Sequence, residues 1–376
     1  MKKLPKDEEM MLRALELARQ GGRSVSPNPM VGCVIVRNGR IIGQGYHERF
    51  GGPHAEVNAI NNAGGDVAGA EVFVNLEPCS FYGKTPPCVD LLIEKKVKRV
   101  VIGMLDPNPK VNGEGVRKLN QAGISTSVGV LRQEAKKLNE FFIKYITTNK
   151  PFVALKIGSS IDGKVALANG SSKYITSAES LKRVHELRAK YDAVLVGAGT
   201  IISDNPSLTV RHIKGDNPIR IVVDGLLKSP LDSMVYNDKA ARTILVYSSS
   251  LNESPRQKGR LDWLYDHGIE LIGVQSDLKG RISLKRILRK LAEKNIGSVL
   301  IEGGVDLFSG FLKAREWDKI LIFMAPKIIG SGMTFSDGFS IARLENAIKI
   351  YNVEIEKVGH DFLLTGYREE HSGFTM

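Results

Sequence analysis

Four residues in the first quarter of the chain carry the strongest chemistry in the sequence: His54 and Glu56 in Pro53-His54-Ala55-Glu56, Cys79 in Glu77-Pro78-Cys79, and Cys88. One imidazole and two thiolates make a three-ligand set for zinc, leaving the fourth tetrahedral position to water. A structural zinc site would use a fourth protein ligand, and no other cysteine is placed to supply it. The remaining one, Cys33, lies in the apolar run 31–36 and reads as a buried core thiol. Glu56, two residues beyond His54, can stand beside a metal-bound water without coordinating the metal. Zinc lowers the pKa of such a water to about 7. A carboxylate there can take its proton and pass it to a ring nitrogen and a departing amine. The plain alternative, a buried histidine with two core thiols, leaves the joint presence of four matched groups unexplained.

This set resembles the signature of zinc nucleobase deaminases, H-x-E followed by P-C-x-x-C. The spacing departs from it, because eight residues separate Cys79 from Cys88. That insert, Ser80-Phe81-Tyr82-Gly83-Lys84-Thr85-Pro86-Pro87, must loop out beside the metal and carries a lysine and hydroxyls suited to a phosphate. The C-terminal half has no G-x-G-x-x-G fingerprint, so an ordinary Rossmann dinucleotide site is not indicated. Its glycines Gly197, Gly199, Gly303 and Gly304 follow strand ends, where backbone amides can approach a pyrophosphate.

Longer segments carry a family resemblance. SPNPMVGCVIV (26–36), GYH (45–47), PHAEVNA (53–59), LEPCS (76–80), GKTPPC (83–88) and DPNP (106–109) occupy the first half. KIGSSIDGKVA (156–166), ITS (175–177), ELR (186–188), VGAGT (196–200), SDNPSLTVR (203–211), IVVDG (221–225) and IEGGVDLF (301–308) follow. Together and in this order they resemble the bifunctional deaminase–reductase family of riboflavin biosynthesis (RibD/RibG). The resemblance implies an α/β protein with a cytidine-deaminase-like α/β/α domain over 1–147 and a dihydrofolate-reductase-like α/β domain over 148–370. It implies a diaminopyrimidinone substrate bearing a ribosylamino 5′-phosphate, with the 2-amino group exchanged for oxygen at a zinc site of His54, Cys79 and Cys88. Asn28 and His47 should contact that substrate, with Lys84 near its phosphate. The second activity would be NADPH reduction of the ribosyl group to ribityl. The implied NADPH contacts are Gly158, Tyr174, Thr200, Asp204, Gly304, Val305, Asp306, Leu307, Phe308, Ser309 and Gly310. The implied substrate contacts are Ser172, Arg188, Leu208, Arg211 and Glu302, two arginines being suited to bidentate phosphate binding. Glu56 is the expected catalytic group of the first site; Lys156 and Asp204 are expected to orient substrate and handle the proton at the second. The chain has Phe81, Tyr174 and Asn205 where the family pattern has His, Trp and Asp.

The elements that must position these groups can be read from periodicity and turn residues. A helix over 7–20 stops at Gly21-Gly22. Strands over 31–37 and 40–46 flank an Asn38-Gly39 turn. A helix over 54–61, a strand over 72–76, a helix over 88–96 opening after Pro87, and a strand over 98–104 follow. A polar segment over 147–151 reads as a linker. Beyond it, strand-like runs recur at 152–157, 193–197, 219–224, 243–247, 269–274, 298–301 and 319–325. Leu284, Ile287, Leu288 and Leu291 repeat at helical spacing between two of them. Such alternation predicts a largely parallel sheet.

At 376 residues with 42% hydrophobic and 25% charged residues, the chain has material for two cores, and global disorder is excluded. No apolar run approaches the ~18 residues of a membrane span, and the start is an acid-bearing amphipathic helix in place of a secretory signal. Three cysteines, an odd and low count, argue against a disulfide framework, and a cytoplasmic location is expected. The net charge of +12 is spread along the chain, as expected of solvated surface. The expected partners are a small phosphorylated pyrimidine and further copies of the chain, with no nucleic acid and no membrane. A tRNA- or DNA-acting deaminase with an accessory domain would explain the zinc motif and the charge. It leaves the insert between the cysteines and the reductase-like segments without a purpose. A non-catalytic zinc module is the remaining alternative, kept by Phe81 and Asn205.

Overall fold

Strands that are apolar on both faces need helices on both sides, and the first half of the chain builds that arrangement. In a computed structural model the chain forms two units, one running through Asn149 and the other starting at Lys150. The structure describes residues 6–369 apart from 83–85, 109–110, 173–174 and 278–280.

The first unit opens with α1 (Lys6–Gly21), then β1 (Gly32–Arg37) and β2 (Arg40–Tyr46) joined through Asn38-Gly39. Next come α2 (Ala55–Asn62), β3 (Glu71–Leu76), α3 (Cys88–Glu94), β4 (Arg99–Met104), α4 (Glu114–Gln121) and β5 (Ser125–Val128). Helices α5 (Arg132–Leu138) and α6 (Glu140–Thr148) close it. The sheet order is β2-β1-β3-β4-β5, antiparallel around β1 and parallel from β3 to β5. On one face Met11, Leu15 and Ala14 of α1 pack on Val34, Phe73 and Val101. On the other, Ala59 and Ile60 of α2 and Val89 and Leu92 of α3 pack on Ile35, Val74 and Ile102. Helix α2 sits hard on β2: a Cβ on Gly43 would come within 2.4 Å of Ala59 O, and one on Gly45 within 2.5 Å of Ala59 N. That approach places the start of α2, which holds His54 and Glu56, beside the ends of the sheet strands.

The second unit begins with β6 (Phe152–Ser160), β7 (Lys164–Leu167), α7 (Ala178–Lys190), β8 (Ala193–Gly197) and α8 (Ala198–Asp204). It continues with β9 (Ile219–Val223), α9 (Met234–Asn237), β10 (Thr243–Ser248), α10 (Pro255–Asp266), β11 (Glu270–Val274) and α11 (Leu284–Glu293). It ends with β12 (Ser298–Gly303), α12 (Val305–Ala314), β13 (Lys319–Ala325), β14 (Gly332–Thr334), β15 (Tyr351–Val358) and β16 (Asp361–Tyr367). The sheet order is β11-β10-β9-β8-β12-β6-β13-β16-β15, parallel from β11 to β13 and antiparallel at β16 and β15. The sheet is therefore largely parallel, with an antiparallel hairpin at one edge. Its core gathers Val153, Leu195, Ile244 and Ile301 with Leu288, Leu291, Phe308 and Phe311 from α11 and α12. Because β8, β12 and β6 are parallel neighbours, their C-terminal ends share one edge of the sheet. The segments following them bring together groups distant in sequence.

Candidate active sites

In the first unit His54 caps α2, Cys79 follows β3 and Cys88 opens α3. The three ligand atoms all lie within 4.8 Å of one another. His54 Nδ1 is 3.2 Å from Cys88 Sγ and 3.5 Å from Cys79 Sγ. Tetrahedral zinc with ordinary Zn–N and Zn–S bonds separates such atoms by about 3.5 Å, so the donor set fits the ion in type and in spacing. The Cys88 amide donates to Cys79 Sγ at 3.2 Å. Hydrogen bonding from Cys88 holds the Cys79 thiol down at about 4, while the same bond and burial push Cys88 well above the usual thiol range. His54 is raised by its bond to Cys79, against burial.

Glu56 is buried in the first turn of α2, and burial pushes its carboxyl up from the ordinary value. His47, also buried, sits with its ring edge-on to His54 at 5.7 Å. Its Nδ1 is 2.9 Å from Pro53 O, which can only accept, so Nδ1 carries the proton and Nε2 accepts from Asn28 Nδ2 at 3.3 Å. Burial lowers its pKa, in keeping with a neutral ring. The structure therefore gathers His54, Cys79, Cys88, Glu56, His47 and Asn28. Lys84 lies outside the described residues.

Glu77, two residues before Cys79, has a role that its place in the motif does not declare. Its buried carboxylate accepts from the amides of Asp106 (3.1 Å), Gly113 (2.9 Å) and Val116 (3.1 Å). Lys118 Nζ donates to Ser80 O at 2.7 Å. The chain on both sides of Cys79 is thus fastened to α4 and to the segment that leads into it. Asp106 is buried beside Glu77, and burial pushes its carboxyl up to about 6.

In the second unit Glu302, at the end of β12, is the hub. Arg188 of α7 grips it with Nε at 2.7 Å and Nη2 at 2.9 Å, and Lys156 of β6 approaches at 3.3 Å. Burial alone would raise this carboxyl, but Arg188 and Lys156 outweigh it and hold it at about 2. Arg188 Nη1 also donates to Thr209 O at 2.9 Å. Its fork is committed, so of the two arginines expected on a phosphate only Arg211 is exposed. Leu208 is buried with φ +54°.

The two glycine-bearing turns meet as their strands do, with Gly303 registered against Val196. A Cβ on Gly303 or Gly304 would meet Thr200 Oγ1 at 2.9 or 3.3 Å, so Thr200 lies against the start of α12. Val305, Asp306 and Leu307 form the first turn of that helix. Phe308 is packed into the core, Ser309 donates to Asp337 O at 2.5 Å, and Gly310 faces Leu284. Gly158 stands on β6 beside Thr176, and Ser172 is half-buried. Asp204 ends α8 exposed, bonded to Ser203 Oγ at 3.0 Å, and among the described residues no hydrogen bond ties it to Lys156. Tyr174 lies outside the described residues. Asn205 is the left-handed cap of α8, and its Oδ1 accepts from the Met234 amide at 2.8 Å, a structural use of the position.

Comparison with known proteins gives a family match in each half. Residues 4–104 match the family described as the cytidine and deoxycytidylate deaminase zinc-binding region, and 151–364 match the RibD C-terminal domain. The riboflavin biosynthesis protein RibD of Aquifex aeolicus is 42% identical, over 95% of this chain and 97% of its own. That of Escherichia coli K12 is 39% identical, over 95% and 98%. A Thermotoga maritima crystal structure is that of a diaminohydroxyphosphoribosylaminopyrimidine deaminase/5-amino-6-(5-phosphoribosylamino)uracil reductase. It superposes with a TM-score of 0.83 at 44% identity, covering 96% of this chain and 98% of that one.

Proposed function

The chain belongs to the RibD family of riboflavin biosynthesis, whose members join a deaminase to a reductase, and on that premise we propose how its own residues divide the two reactions. The N-terminal half, residues 1–147, is assigned the zinc-dependent deamination, and residues 148–370 the NADPH-dependent reduction. The substrate is 2,5-diamino-6-ribosylamino-4(3H)-pyrimidinone 5′-phosphate; its 2-amino group leaves as ammonia and an oxygen from water takes its place.

When held by His54, Cys79 and Cys88, zinc would supply a water whose pKa lies near neutrality. Glu56 would take up the two protons that the attacking water gives up, one after the other, and deliver one to the ring nitrogen and one to the leaving amine. Its burial, which raises the carboxyl above its ordinary value, supports the role. His47 and Asn28 orient the pyrimidine, with His47 locked in one neutral tautomer by Pro53 O. Lys84 is assigned to the phosphate.

At the second site NADPH would supply the hydride that converts ribosyl to ribityl. Thr200 and the amides at the start of α12 would hold the cofactor's phosphates, and Gly158 and Asp204 would contact it; Tyr174 is assigned to the same cofactor. Lys156, fixed by Glu302, orients the ribosyl end and provides the accompanying proton. Arg211 takes the 5′-phosphate, Leu208 and Ser172 line the substrate, and Arg188 holds Glu302 in place. Cys33, Cys79 and Cys88 form no disulfide with one another, in keeping with a reducing, cytoplasmic setting. Among the described residues no helix is long and apolar enough to cross a membrane.

The observation that carries the deaminase assignment is Glu56 buried beside a complete His-Cys-Cys set. Purified protein is to be incubated with the diaminopyrimidinone phosphate, with and without NADPH, and the products followed by mass spectrometry. Amine-to-oxygen exchange without NADPH, then gain of two hydrogens with it, is the expected sequence. Glu56→Gln should lose the first step by about a thousandfold or more, the upper part of the usual range for one general acid–base group, yet retain zinc and still reduce the deaminated intermediate. Turnover surviving in that variant would remove Glu56 from the mechanism.

A further inference from the structure

The segment 207–211 carries two of the residues assigned to the reductase substrate, and much of its backbone is fastened from outside. Leu208 sits in the left-handed region at φ +54°, which costs a branched side chain roughly 1 kcal/mol or more. Side chains from outside fasten the segment at successive points. Arg220 Nη1 reaches Ser207 O at 3.3 Å, Arg188 Nη1 donates to Thr209 O at 2.9 Å, and the Val210 amide donates to Asn217 Oδ1 at 2.8 Å. The last fastening is His185, whose Nδ1 accepts from the Arg211 amide at 3.0 Å. His185 and Arg188 are three residues apart on α7 and so share one face of it. One helix face therefore grips the segment at Thr209 and Arg211 while also gripping Glu302.

We propose that His185 is a positioning residue for the phosphate end of the reductase substrate, acting through the backbone of Arg211. The inference rests on the assignment of Arg211 to the phosphate. His185 is fully buried, and its Nε2 has no hydrogen-bond partner among the described residues. The ring meets His212 edge-on at 5.1 Å. Accepting at Nδ1 requires the proton on Nε2 and a neutral ring. Burial, then Arg188, Arg211 and His212, push its pKa down to about 4, so the accepting form is the one present at neutral pH. With its amide held by His185 and its Nη1 bonded to Ser207 Oγ, Arg211 is tied at its backbone and at one end of its fork. A planar fork gains most from such fixing, because less freedom is lost on binding.

The test compares reduction of 5-amino-6-(5-phosphoribosylamino)uracil with that of its dephosphorylated form. His185→Leu removes the acceptor; His185→Asn keeps an oxygen near the position of Nδ1. NADPH affinity, read by fluorescence, reports whether the reductase unit is folded in each. In His185→Leu, KM for the phosphorylated substrate should rise about tenfold, the order expected for losing a hydrogen bond that orients a charged group. Its kcat and NADPH affinity should stay near wild type, as should kcat/KM for the dephosphorylated compound. His185→Asn should recover most of the loss. Arg211→Met sets the scale by abolishing the preference for phosphate. An unchanged KM in His185→Leu, an equal loss on both substrates, or an Asn variant no better than Leu overturns the proposal while leaving the Arg211 assignment intact. An Arg211→Met enzyme that still prefers phosphate overturns both.

Discussion

At the scale of single residues, the second unit holds two buried groups that favour opposite charge states and yet respond to acid in the same direction. Glu302 is ionised in the folded chain down to about 2, because Arg188 and Lys156 outweigh its burial. An unfolded chain protonates it near its ordinary value of about 4.3. Its contribution to stability is therefore complete above that value and is lost as pH falls toward 2. His185 stays neutral down to about 4, through burial and through Arg188 on its own helix and Arg211 and His212 on the facing segment, with Glu302 pulling weakly the other way. An unfolded chain protonates it below about 6.5, so its contribution is complete above 6.5 and fades between there and 4. Stability of the reductase unit should thus fall in two stages on acidification. A tenfold difference in proton affinity between the folded and unfolded chain is worth about 1.4 kcal/mol. His185→Asn has nothing to titrate and should flatten the upper stage while leaving the lower. Melting temperatures measured from pH 7 to 3 decide it: an identical slope between 6.5 and 4 in both proteins would mean that the ring is not held neutral.

At the scale of elements, most of the strands and helices that bear the sites can be read from the sequence. Apolar runs ended by Gly or Pro mark β1, β3, β4, β6 and β13, and the spacing of Leu284, Ile287, Leu288 and Leu291 marks α11. The hairpin β15–β16 lies beyond the runs read as strands, although Tyr351, Val353 and Ile355 alternate with Asn352, Glu354 and Glu356 and the turn Gly359 has φ +60°. The zinc set is legible because its residue types are rare and chemically matched. The Glu302 hub is legible only as a resemblance: Arg188 and Glu302 are 114 positions apart, and they meet because β12 lies between β8 and β6. No periodicity encodes that strand order, nor the commitment of Arg188's fork to Glu302 and Thr209. Glu77 shows the same limit, since its three amide partners come from a stretch with no clear apolar period. It ties β3 and the Cys79 segment to the entry of α4, so Glu77→Gln, which turns an amide NH2 toward those donors, should cost about 2–4 kcal/mol. It should also release zinc to a chelator faster than wild type does. Differential scanning and a chelator time course check this, and unchanged zinc release would reduce Glu77 to a role in folding alone.

At the scale of the whole molecule, the sheet of the second unit ends in a strand that is poorly protected. One face of β15 is tied to α7 through the ion pair of Glu356 with Arg183. The other turns Val353 (48% exposed) and Ile355 (62%) outward, and Phe362 of β16 (41%) extends the patch. Ile355 registers against Leu364, and Lys357 against Phe362, so the apolar side chains form a stripe across two strands. The outer ladder of β15 pairs with no other described strand. Exposed edges with apolar side chains are aggregation-prone, and natural proteins usually cover them. A second copy meeting the same edge across a two-fold axis covers both at once, because an isologous contact needs only one self-complementary patch. We therefore expect a homo-oligomer joined along β15. Light scattering on the purified chain should give a multiple of the 41.3 kDa monomer mass. Ile355→Lys should return that mass to the monomer while leaving zinc content and deaminase turnover per chain unchanged. A monomeric wild type removes the assembly, and a variant that keeps the wild-type mass moves the interface away from β15.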